Sequence, residues 1–499
     1  MSIKKFITEK MKKRIIRNTI YVIAGIVLFP SCDKYLAKEP DNRANLNTPE
    51  KVSQLLATAY PGANYIPFTE TSTDNVGDIG SGDIGSSDLN TSNADAFFFR
   101  DTRSVGEDTP EFYWFACYHA IAACNQALET ISKAYNQNDY IAQKAEALVA
   151  RAYAHFMLVN IFAKFYDPAT AGSDPGIPYV TEPEKNFIKQ YSRGTVASVY
   201  DMIEKDLLQG LPYIDDKSYK VPKYHFNRAA ANAFAARFYL YKKDYNKVIQ
   251  YGSQVVPGGD FLSNLRPWNT EYVSIGLNDI APRYAKATEN ANLLLAETNS
   301  YWFRTNILAR YAMTPAVVDQ VLRTVPAAGG DWAFPIGSYV DNHLVVPKIS
   351  EYFVRVSVNA EIGNGYVMVP LFTVEEALFN LAEAYAYTNQ FNSAIALLNT
   401  YLSTRILSYS SSNILTDSKI NSYWGTTNTQ LALVSTILAY RRSEFIHEGM
   451  RWFDILRYKI AVTHRTITGE IYALAPNDPR RLFQIPPTAK QSGIEQNPR

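Results

Sequence analysis

Charges set into an apolar helical stripe must be answered by opposite charges, and the stretch 440–458, YRRSEFIHEGMRWFDILRY, has this character throughout. Leading into it, Val434, Ile437, Leu438, Arg441, Phe445 and Glu448 recur at three- and four-residue steps, which is one face of a helix. The spacing predicts local pairs, Glu444 with Arg441 and Glu448 with Arg451. Gly449 suits the position just past a helix C-terminus. The expectation is a helix ending at Glu448, a corner at Gly449 and Met450, and a second short helix carrying Trp452, Phe453, Ile455 and Leu456 into a core. A corner clamped by ion pairs is structural and needs no chemistry.

Around that corner the chain is predicted to be mainly α. With 499 residues, 47% apolar and 13% aromatic, it can bury a large core without disulfides or metals. Helical periodicity with Ala at close-packing positions runs through 111–133, 140–165, 195–211 and 229–256. Two segments fit the tetratricopeptide pattern of Leu, a small residue, an aromatic and then Ala. In one the posts are Leu381, Ala382, Tyr385, Ala394 and Leu398; in the other, a looser match, they are Ala235, Ala236, Tyr239, Val248 and Gly252. Such an array stacks as a right-handed, solenoid-like wall. Cys117 and Cys124, seven apart in a helical stretch, lie about 10 Å apart along the axis, beyond disulfide reach, and read as small buried residues.

Two regions break the pattern. Segment 61–110 holds Asp74, Asp78, Asp83 and Asp88 among Gly and Ser, lacks calcium-loop spacing, and reads as a solvated loop. Phe97, Phe98 and Phe99 cannot all face one helical core, so part of this loop should pack on the body or meet a ligand. Segment 257–369 is punctuated by Pro, Gly and Asn, with short β-branched runs at 339–347 and 366–370, and reads as loops with a few inserted strands.

At the start, Lys12, Lys13, Arg14 and Arg17 precede a ten-residue apolar run, 20–29, too short to span a bilayer and shaped like a signal peptide. Met11 is an alternative start. Ser31-Cys32 at its end is similar to a bacterial lipobox, which implies lipidation of Cys32, although Phe29 and Pro30 depart from the stricter pattern. The alternative is an ordinary secreted protein with a free thiol. Removing residues 1–31 leaves 42 basic and 47 acidic residues, a net of −5, with no electrostatic footprint for nucleic acid.

The stretch 440–458, with its Phe-x-x-Glu-Gly followed by Arg-Trp-Phe-Asp, resembles the carboxy-terminal signature of the SusD and RagB family of Bacteroidetes outer-membrane nutrient-binding lipoproteins. The likeness extends from CDKYLAKEP through EALVARAYAHFMLVNIFAKF, RGTVASVYDMIEKDL, FNRAAANAFAARFYLYKKDY and FTVEEALFNLAEAYAYTNQFNSAIALLN to the closing FQIPPTAKQSGIEQNPR. It implies a tetratricopeptide-like scaffold with an inserted loop-rich, partly β ligand-binding region. The divisions expected are a signal peptide at 1–31, a lipidated tether at 32–47, helical repeats at 48–256, the insertion at 257–369, and a helical and signature region at 370–499. The function implied is capture of oligo- or polysaccharide at the cell surface and delivery to a SusC-like TonB-dependent transporter, with membrane contact through the lipid anchor alone.

A binding role also suits what is missing. The sequence has no Gly-x-Ser-x-Gly elbow, no His-Glu-x-x-His and no His cluster at ligand spacing, so no catalytic residue, metal or cofactor is expected. Peptide capture within the same family, or an exported glycoside hydrolase whose carboxylates meet only in space, are the alternatives. Sugars present flat CH faces to aromatic rings, and loops on a rigid scaffold carry such faces. That selects Trp268, Trp302 and Trp332, with Tyr301 and Phe98 behind them.

Overall fold

Threonine and asparagine side chains start many of the helices. Thr48 caps α1 (Pro49–Leu56), Thr109 caps α4 (Pro110–Lys133) and Thr195 closes a capping box on α6 (Val196–Gly210), each accepting a backbone N–H of the first turn. The structure, a computed structural model, describes residues 46–185, 189–340 and 342–499. The expected signal peptide, Cys32 and most of the tether lie outside the described residues. Residues 47–499 form one compact unit.

Helix α5 (Ile141–Phe162) is the axis of the N-terminal half, flanked by α4 and α6. Every residue from Ala145 to Phe162 is buried, the mark of a helix surrounded by protein. Its buried polar side chains find partners, although Gln143 Oε1 and Glu146 Oε2 are left without one. Arg151 forms a two-pronged pair with Asp206 at 2.7 and 2.8 Å, and Glu146 accepts from Tyr60 at 2.8 Å. Burial pushes the His155 pKa down to about 3, so its neutral ring accepts from Val180 N–H at 3.0 Å and donates to the Arg151 carbonyl at 2.9 Å.

The periodic segment 229–256 divides into α7 (Arg228–Lys242) and α8 (Tyr245–Gly252) across Lys243, whose φ of 63° makes the turn. A second such pair, α12 (Val374–Tyr387) and α13 (Phe391–Leu402), packs on the first through α8 and α12. The posts Ala235, Ala236, Tyr239, Val248, Leu381, Ala382, Ala394 and Leu398 are buried in these seams. The mainly α, tetratricopeptide-like fold is as expected. Between the pairs come three short helices, α9 (Leu277–Tyr284), α10 (Trp302–Thr305) and α11 (Pro315–Val321). Strands Asn292–Asn299, Glu351–Arg355 and Gly363–Thr373 form an antiparallel sheet with Gly363–Thr373 in the centre.

Segment 61–110 corrects the sequence reading. It contains α2 (Ile66–Thr71), all six residues of which are buried, and α3 (Ser87–Phe97). Six residues are too few to show a 3.6-residue period, and α3 is rich in Ser, Asn and Asp. Two of the aspartates expected in solvent are paired, Asp78 with Arg310 at 2.8 Å and Asp74 with Arg451 at 2.8 Å.

The signature stretch follows α14 (Asp417–Trp424) and forms α15 (Thr429–Glu444), a turn, and α16 (Met450–Arg457). The first helix stops at Glu444, four residues earlier than expected. Glu70 of α2 caps the corner, accepting from His447 N–H at 2.9 Å and Gly449 N–H at 3.0 Å. Gly449 has φ 69°, and a Cβ there would run into Thr69 and the Ile66 backbone, so the approach of α2 admits only glycine. The local ion pairs do not form. Glu444 meets Arg405 at 2.8 Å, Glu448 meets Lys348 at 2.8 Å, and Arg441 meets Asp454 at 2.9 Å. Because α15 ends at Glu444, Glu448 has no helical neighbour at three or four residues, and the buried face turns its charges toward other elements instead of along its own surface.

Candidate functional site

A groove of about 370 Å³ opens beside α15. Its walls are the groove-facing side of α15 (half-buried Ser435, Ala439 and Arg442, with buried Thr436), the end of α11 with the turn after it (Gln320, Thr324), Trp332, and the end of α14. Only Ile420 of α14 is buried, and Gly425, in the left-handed region at φ 62°, ends the helix. That termination leaves Tyr423 and Trp424 at the mouth, 44% and 40% exposed. The rings meet edge to face with centroids 5.2 Å apart. Thr436 gives its hydroxyl proton to the Ala432 carbonyl at 2.8 Å and accepts the Trp424 Nε1–H at 2.9 Å, so the indole is held in orientation with a face open to water.

Behind the mouth, Trp332 lies edge-on to Tyr440 at 5.3 Å and also packs on Phe334 and Tyr401. At the base, Arg451 grips Asp74 with two hydrogen bonds of 2.9 and 2.8 Å. Arg442 donates to Asn75 Oδ1 at 2.9 Å and to the Asp74 carbonyl at 2.6 Å. Burial alone would raise the Asp74 carboxyl, but the hydrogen bonds and charge of Arg451, with Arg442 beyond it, hold it below the usual carboxylate range. Among the described residues no three His, Cys, Asp or Glu side chains are grouped to hold a metal ion.

The residues singled out from sequence fall in different places. Trp332 lines the groove but is 8% exposed, so it serves as backing. Trp268 is 0% exposed, enclosed by Tyr272, Tyr284 and Phe334, and has no face to offer a ligand. Trp302 is buried, its backbone N–H held by Asp108 at 2.9 Å. Its neighbour Tyr301 is half-buried in a separate cavity of about 330 Å³ with Arg304 and Asp88. Beneath it, burial pushes Asp108 up to about 6 despite three donors, Ser300 Oγ and the N–H groups of Tyr301 and Trp302. Phe98 is half-buried against Tyr311 and Tyr472 with Arg100 over its ring. A Trp in an irregular segment is therefore no sign of exposure here, because these loops fold back on themselves. Tyr423 and Trp424 were missed inside a segment read as repeat and signature. The signal available was their adjacency ahead of Gly-Thr-Thr-Asn, since two neighbouring aromatics at a helix end cannot both face one core.

Helix pairs stacked around a small sheet, with aromatic faces presented at the end of a helix, define the class: a helical-repeat binding protein. Residues 34–240 match the family described as SusD-like, "Starch-binding associating with outer membrane", and residues 354–489 match the SusD family proper, SusD and RagB. The chain belongs to the SusD/RagB family. SusD-like protein P38 of Formosa agariphila is 22% identical over 398 residues, 71% of this chain and 73% of that one. The same fold occurs in a putative sugar binding protein of Bacteroides vulgatus, with a TM-score of 0.68, 20% identity, and 91% of this chain and 99% of that one covered. It occurs again in a SusD superfamily protein of Bacteroides thetaiotaomicron, with a TM-score of 0.67, 18% identity, and coverage of 91% and 100%.

Proposed function

We propose that this protein is a surface-exposed outer-membrane lipoprotein, anchored through Cys32, that binds oligo- or polysaccharide in the aromatic groove and delivers it to a SusC-like TonB-dependent transporter. The observation that carries the ligand reading is the oriented, exposed Tyr423–Trp424 pair at the mouth of a groove with polar walls. Pyranose CH faces stack on such rings, while the hydroxyls of Thr324 and Ser435 and the Gln320 amide can exchange hydrogen bonds with sugar hydroxyls. Family membership supports both the carbohydrate class and the outer-membrane setting.

Trp424 anchors no core, so Trp424→Ala should leave the melting curve intact. Loss of one anchoring aromatic removes about 1–3 kcal/mol of binding, about five- to 150-fold in Kd. Retardation in polysaccharide-containing native gels measures it. Parent-like retardation of both Trp424→Ala and Tyr423→Ala would place the ligand outside this groove.

A further inference from the structure

The groove's charge is one-sided. Two guanidinium groups, Arg442 and Arg451, line it, and no Asp or Glu does. Asp74, beside its base, answers one of them through the two-pronged contact with Arg451. Glu70, the next carboxylate inward, is turned away, its oxygens on the N–H groups of His447 and Gly449 and the Asn75 amide. Arg442 is thus left short of negative charge. Its Nε and Nη2 are engaged by neutral oxygens, of Asn75 and the Asp74 backbone, and it stands 3.7 Å from the carboxylate that Arg451 already grips. Its Nη1 has no hydrogen-bond partner among the described residues and is not one of the enclosed, unpaired atoms of the core. Burial pushes the Arg442 pKa down, and the neighbouring Arg451 pushes it the same way against the combined pull of Asp74 and Glu70, the behaviour of a cation that an added anion would relieve.

Resting on the glycan-binding reading above, we infer that the groove takes an acidic sugar, with its carboxylate or sulfate on Nη1 of Arg442 and its pyranose ring against Trp424. A guanidinium whose other nitrogens are fixed is pre-organised for an oxyanion, and a charge-assisted contact of this kind is stronger than one to a neutral hydroxyl.

The test uses the full-length protein in detergent, run in native gels containing polygalacturonate, carrageenan or amylopectin, which offer carboxylate, sulfate and no charge in turn. At least one acidic polymer should retard the parent and amylopectin should not; which of the two acts tells carboxylate from sulfate. Arg442→Gln should weaken that retardation roughly tenfold or more, with Arg442→Lys retaining part of it. Since Arg442 also holds Asn75, the isosteric Gln320→Glu on the exposed groove wall is the second variant. It leaves the core untouched, sets a carboxylate beside the anion, and should also weaken binding. Retardation by amylopectin that Trp424→Ala abolishes and Arg442→Gln spares would overturn the acidic preference and keep the glycan reading. Acidic-polymer binding indifferent to both Arg442→Gln and Gln320→Glu would overturn the assignment to this groove. No retardation by any of the three would remove the preference and the glycan reading together.

Discussion

Glu444 and its partners are sealed from water, and their charges are therefore felt at full strength. Its carboxylate takes Arg405 Nε and Nη2 at 2.8 and 3.0 Å and the Tyr401 hydroxyl at 3.1 Å, and Arg405 goes on to Glu375, which holds Arg266. Burial opposes the charged form of Glu444, but Arg405 outweighs it and holds the carboxyl below its usual range; Asp454 is held low in the same way by Arg441 and Arg457. Glu444→Gln keeps the shape and leaves Arg405 under-compensated, which should cost about 3–5 kcal/mol, read as a lower urea midpoint. Since the folded pKa values of Glu444 and Asp454 are depressed, the stability they contribute is present above the ordinary carboxylate range. It is lost as pH falls through their folded values. The urea midpoint of the parent should thus drop on acidification, and the gap to Glu444→Gln should narrow; a constant gap would mean that Glu444 does not titrate with folding. That these charges must be paired was legible in their spacing. Their partners were not, because a helical period reports which residues share a face and says nothing of what faces them.

At the level of elements, the long amphipathic helices and their threonine caps were legible, and so was the α7–α8 and α12–α13 pairing, because small residues recur where helices meet. How closely they meet shows at two glycines. A Cβ on Gly210, at the end of α6, would lie 2.7 Å from the Ala145 carbonyl oxygen and 2.8 Å from a Val149 methyl of α5. One on Gly252 would find Leu381 at 3.4 Å, an ordinary contact. Gly210→Ala should therefore force α5 and α6 apart at about 1–3 kcal/mol, while Gly252→Ala should be neutral or stabilising by up to about 1 kcal/mol. Urea midpoints of the two variants compare them directly, and equal midpoints would show that the α5–α6 seam is slack. The short helices α2 and α3 escaped sequence reading for the converse reason: tertiary contacts fold them, and neither has a period strong enough to announce itself.

For the whole molecule, the anchor and the fold are separable expectations. Among the described residues no helix is long and apolar enough to cross a membrane, and the proposed attachment is a lipid on Cys32, with affinity growing by about 0.8 kcal/mol per buried CH₂. Cys32→Ala should abolish metabolic acyl labelling and release the protein from the membrane fraction with its melting curve unchanged; label kept by the variant would end the lipoprotein reading. The pairs that clamp the corner reach far along the chain: Asp74 to Arg451, Glu383 to Arg457. During synthesis both carboxylates emerge long before the cations that will neutralise them. Until the 440–458 stretch arrives they stay hydrated, and the segments that bear them cannot close around them. A chain cut short before that stretch is thus no weakened copy of the whole. Its carboxylates have no partners to bury against, so a late stretch of the chain decides whether seams laid down much earlier can close.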